Sequence, residues 1–137
     1  MKKIVIALLI TVFSLSAFSV CFAEQLYTGL IIDARELNVE PGKSPKVYDT
    51  KGHEIYGTVN INPDFVIEKG IVQYQRTIGD AIRELTAGDN PIVVRAQNRG
   101  NHPYKADVVI SVEDAIWILR ANRKHGFLEE LNVVFVI

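Results

Sequence analysis

The run LYTGLIIDAR, Leu26 to Arg35, decides how this chain is read. Leu30, Ile31 and Ile32 are consecutive and apolar, so both faces of an extended segment avoid water there. The spacing predicts a strand covered on both sides and central in its sheet. Working outward, residues 37–46 (LNVEPGKSPK) hold two prolines and a Pro-Gly pair, which break a strand ladder and mark a surface-crossing loop. Two short β-prone runs then flank Asp49-Thr50-Lys51-Gly52, a hairpin whose turn uses Gly52 for a positive φ. Residues 60–70 stay open: Asn-Pro-Asp suits the cap of a short helical turn, whereas Ile71 to Tyr74 favours a strand.

Farther along, Ile78, Ala81, Ile82 and Leu85 recur at three-and-four spacing. They predict an amphipathic helix of about three turns over 77–87, capped by Thr77 and stopped at Gly88-Asp89-Asn90-Pro91. PIVVR (91–95) and ADVVI (106–110) read as strands on either side of a polar loop. Ser111 opens the clearest helix, with Glu113 and Asp114 at its positive end, Arg120, Arg123 and Lys124 at the other, and Gly126 as the stop. Its expected buried stripe is Val112, Ala115, Ile116, Leu119 and Ile118. LNVVFVI closes the chain as an apolar strand unsuited to a wet edge. The order of elements predicts an α+β fold: a single mixed or antiparallel sheet of about five strands with two helices packed on one face.

Upstream of Leu26, Lys2 and Lys3 precede an apolar and hydroxylic run from Ile4 to Val20 and then Cys21-Phe22-Ala23. These are the three parts of a signal peptide over 1–23, with cleavage expected after Ala23 and a single α+β domain over 24–137. An uncleaved anchor competes, because the run approaches the roughly 20 residues of a spanning helix; the small-x-small exit and Glu24 argue against it. Acylation of Cys21 is the other alternative, disfavoured by Val20 and Phe18 at the positions that lipoprotein processing reads. With Cys21 removed, the exported chain has no cysteine and can form neither a disulfide nor a thiolate metal site. The 15 basic residues less Lys2 and Lys3 leave 13 against 16 acidic, a net of −3. That balance offers no basic stripe for nucleic acid, and no later apolar run is long enough to form an integral membrane span.

Chemistry-bearing motifs are few. His53 falls in the hairpin turn, His102 in the Asn98-to-Pro103 loop and His125 beside a helix stop, and none belongs to a short metal-ligand pattern, so no metal or other cofactor is expected. No G-x-S-x-G occurs, and Ser111 is accounted for as a helix cap, so no catalytic residue is assigned. Asp33 and Arg35 alternate about Ala34 and could share one sheet face, as a strand-end salt bridge or an interface pair. Arg95, Arg99, Asn101, His102 and Tyr104 form the most polar segment and make a candidate patch for a glycan or peptide. Trp117 lies off the apolar stripe, as a half-buried packing residue or an interface anchor.

Two stretches together resemble a known group. Tyr27 to Gly57 is similar to a pattern of small exported bacterial proteins, T-G-L-apolar-apolar-D-A-R-G-L followed by S-P-x-apolar-x-D-x-x-G-x-x-apolar-Y-G. Asp107 to Ile137 is similar to their closing strand, helix, G-F-L and strand. The named group is the bacterial flagellar basal-disk and outer-membrane lipoprotein family, and the likeness spans about half of the exported chain. The resemblance implies a non-enzymatic assembly or scaffold component, periplasmic or outer-membrane associated, with envelope proteins or further copies of itself as partners. Glu36 stands where that pattern has Gly, and the lipoprotein cysteine context is missing, so attachment to the envelope would have to run through protein contacts.

Overall fold

A computed structural model describes residues 25–137; the leader read over 1–23 lies outside the described residues. The elements in chain order are β1 (Gly29–Asp33), β2 (Val47–Asp49), β3 (Glu54–Tyr56), α1 (Pro63–Lys69), β4 (Gln73–Gln75), α2 (Ile78–Arg83), β5 (Pro91–Arg95), β6 (Asn98–Arg99), β7 (Val108–Ile110), α3 (Val112–His125) and β8 (Val133–Val136).

The strands form two sheets of four, which corrects the expectation of a single sheet of about five strands. One is wholly parallel in the order β4-β8-β1-β5, and the other is mixed in the order β3-β2-β7-β6. The chain passes between them through a short bend at Ala96 and Gln97. Ala96 N–H donates to Asp33 O in the parallel sheet at 2.9 Å, and Gln97 N–H donates to Val109 O in the mixed sheet at 2.8 Å. A strand that bends and changes sheets is a common way to turn such a corner, and hydrophobic periodicity does not register it.

β1 is central and covered on both faces, as Leu30-Ile31-Ile32 requires: all three are fully buried. Leu30 and Ile32 point with Ile92, Val94, Val133 and Phe135 into a main core shared with Val47, Val108 and Ile110 of the mixed sheet and with Ala115, Ile118 and Ala121 of α3. Ile31, Val134 and Val136 point the opposite way, onto Ala81 and Ile78 of α2 and onto Ala87. Thus α2 covers one face of the parallel sheet while α3 belongs to the core on the other. The arrangement of two helices on one face is corrected, and α1, capped by the Asn62 side chain on Asp64 N, makes a third helix.

Local readings differ in detail. The helix from Thr77 stops at Glu84, and Leu85 has φ 56 and lies in solvent with Ile82, because the stripe needed here is one small residue, Ala81, against the sheet. In α3 the cap is as read, with Ser111 accepting from Asp114 N and Gly126 in the left-handed conformation. Its buried side chains are Ala115, Ile118 and Ala121, while Ile116 and Leu119 are exposed. The core therefore meets α3 along an arc rotated from the stripe predicted. The hairpin forms as read, with Gly52 at φ 87, and Asp49 accepts from the backbone N–H groups of Lys51 and His53 across its turn.

Candidate functional site

All four strands of the parallel sheet point the same way, so their carboxyl ends share one rim. Asp33 ends β1, and its two carboxylate oxygens accept from Arg35 Nε and Nη2, each at 2.9 Å. This paired fork holds the Asp33 carboxyl below the ordinary carboxylate range against the upward push of partial burial. Arg95 ends β5 and lies 3.8 Å from Glu36. Glu36 has φ 70, a left-handed conformation that glycine adopts freely. Asp33, Arg35, Glu36 and Arg95 thus form one polar corner above β1 and β5.

The five-residue patch predicted over 95–104 does not assemble as one concave site. Arg95 belongs to the corner just described, and Arg99 donates from Nη1 to Asn38 O at 2.6 Å, tying its loop to the loop after β1. Asn101, His102 and Tyr104 are exposed on the turn beyond, with Tyr104 two-thirds accessible. Trp117 is 40% exposed and meets Tyr27 edge to face, with ring centroids 5.7 Å apart. On the helical wheel it flanks one side of the buried arc of α3, while Ile116 and Leu119 flank the other. No group of three or more histidine, cysteine or acidic side chains among the described residues is placed to hold a metal ion. No helix among them is long and apolar enough to cross a membrane.

Concave surface lies elsewhere. A cleft of about 370 Å³ opens between β3, the 57–61 segment and α3, lined by Tyr56, Ile61, Leu119, Asn122, Leu128 and Glu129 among others. Burial lifts the Tyr56 phenol well above its ordinary range, and its hydroxyl donates to Ile71 O at 2.7 Å. A larger cleft, about 550 Å³, sits on the carboxyl rim and is walled by Val39, Pro41, Tyr74, Gln75, Arg76, Asp80 and Ile137. A third, of about 400 Å³, adjoins it across Pro41 and Tyr74. The shared wall is locked: the Tyr74 hydroxyl accepts from Gly42 N–H at 3.0 Å and donates to Gly42 O at 2.9 Å. Burial pushes the Tyr74 phenol up, with the Gly42 bond opposing. Asp80 is held low by its hydrogen bond with Thr77 and then by Arg83.

The rim residues Tyr74, Gln75 and Arg76 were not singled out by sequence reading. The segment carrying them follows the stretch whose helix and strand readings conflicted. What places them beside Val39 and Ile137 is strand order, which local pattern does not encode.

No curated protein matches the chain significantly. A family match runs from the first residue of β1 onward: residues 29–137 match the family described as the second domain of Treponema pallidum Tp0624, and the chain belongs to that family.

Proposed function

We propose that the protein is a non-enzymatic exported envelope component that works by docking onto a protein partner. The observation that carries this reading is the half-exposed Trp117–Tyr27 pair. Tyr and Trp side chains with one apolar and one wet side are enriched at protein interfaces. Tyr27 lies two residues before the start of the family match, and Leu26 beside it is 63% exposed. In the Treponema protein the domain is by description the second one. The surface around residues 26, 27 and 117 thus borders the point at which the chain enters the matched region, and offers a partner an apolar, half-exposed patch.

Export rests on the leader read over 1–23. The family match says nothing of flagellar or lipoprotein assembly; that setting rests on the resemblance of Tyr27 to Gly57 and Asp107 to Ile137 alone, and is one place to look for the partner. The test is in-cell cross-linking of a C-terminally tagged chain, with mass spectrometry of the adducts, beside Trp117→Ala. A discrete envelope adduct that Trp117→Ala reduces several-fold is the expected result. A lone soluble monomer, or an adduct indifferent to residue 117, would overturn the reading.

A further inference from the structure

We propose that the cleft at the carboxyl rim of the parallel sheet binds a small organic carboxylate that carries an apolar body. The first support is topological. After β4 the chain rises to α2, which packs on the Ile31 and Val134 face of the sheet. After β1 it leaves toward the opposite face, where Val39 packs on the main core. β8 lies between β4 and β1. Two connections departing to opposite faces part the surface above the intervening strand, and open parallel sheets take their ligands at such a switch point. The cleft lies there: Val39 and Pro41 come from the β1 exit, Gln75, Arg76 and Asp80 from the β4 exit, and Ile137 from the end of β8.

The second support is the chemistry of the lining. Arg83 pairs with Asp80, Arg35 with Asp33, Arg95 with Glu36, and Arg99 with Asn38 O. Arg76 is exposed at the cleft and has no such partner among the described residues. A single guanidinium matches the planar fork of one carboxylate. Asp80 in the same wall is already paired with Arg83, which leaves Arg76 as the cation of the lining open to a ligand. Val39, Pro41, Ile137 and the Tyr74 ring supply apolar walls, and Gln75 adds an amide able to donate and accept. About 550 Å³ falls within the range of small-ligand pockets. The locked Tyr74–Gly42 contact fixes one wall in advance of binding, which lowers the ordering cost of association.

Such a carboxylate can be free or can be the last residue of a polypeptide. The experiment titrates hexanoate and N-acetyl-phenylalanine into the ¹⁵N-labelled protein, each beside its uncharged amide, up to about 10 mM, the weak end of small-ligand affinity. The expected result is a shift of the amide resonances of Gln75, Arg76, Asp80 and Ile137 with at least one acid and with neither amide. The responding acid identifies the source. Arg76→Gln should weaken that binding about tenfold or more, Arg76→Lys should restore part of it, and Arg120→Gln on the exposed side of α3 should leave it unchanged. Equal response to acid and amide, shifts centred elsewhere, binding indifferent to Arg76→Gln, or no shift at all would each overturn the proposal. The dispersion of each variant's spectrum reports whether it is folded.

Discussion

Asp33 shows how much one side chain says when its neighbours are known. The alternation Asp33-Ala34-Arg35 suggested a pair on one face, and the structure joins them through two parallel hydrogen bonds. Because the folded carboxyl is held below its unfolded value, near 3.9, the pair stabilises the fold above that value. The contribution is lost as pH falls through the lower, folded value. In Asp33→Asn this part of the acid response should vanish. Melting temperatures of the two proteins, compared from pH 7 down to pH 2, should differ most at neutral pH and converge at the acid end. A gap that stays constant across the range would show the pair to be irrelevant to stability. Glu36 marks a limit of residue-level reading. Its departure from the Gly of the resembling pattern was visible in sequence, but the left-handed backbone that gives this departure meaning was not.

Among the elements, legibility followed the strength of the local signal. β1, the hairpin, β5, α3 with both caps, and β8 stand where apolar runs, turn residues and capping side chains put them. The helix beginning at Thr77 came out short, and the buried arc of α3 was misplaced. In both, small residues take the contact: Ala81 meets the sheet, and Ala115 and Ala121 flank Ile118, so large apolar residues nearby stay outside. A hydrophobic-spacing argument weights Leu and Ile over Ala and errs wherever a close approach excludes bulk. Gly29 is the extreme of that rule, since a Cβ there would collide with the Ala87 carbonyl. Gly29→Ala should lower unfolding free energy by about 1–3 kcal/mol, the usual range for overpacking, measured by urea titration. A neutral outcome would mean that the 85–90 turn gives way easily.

For the molecule as a whole, the number of sheets was not legible. The fold class failed on pairing: Asn98 and Arg99 pair with β7, while Pro91 to Arg95 pair with β1. The rim cleft was hidden for the same reason, because its walls come from three stretches far apart in sequence. In the core, the buried Tyr56–Ile71 hydrogen bond links β3 to the segment leading into β4. Tyr56→Phe leaves the Ile71 carbonyl without that donor and should lower unfolding free energy by about 1–3 kcal/mol in the same titration. An unchanged midpoint would show that another donor replaces the hydroxyl.

The bend at Ala96 and Gln97 has a mechanical meaning. Two neighbouring peptide units there grip opposite halves of the protein, so neither half can be drawn away while the other keeps its grip. Tension applied at this corner passes from one sheet to the other through two adjacent peptide units, as through a rivet. An extra residue at this point would invert every side chain downstream in β6 and set the register of one half against the other. The corner thus adds a backbone clamp to two sheets that already share one core.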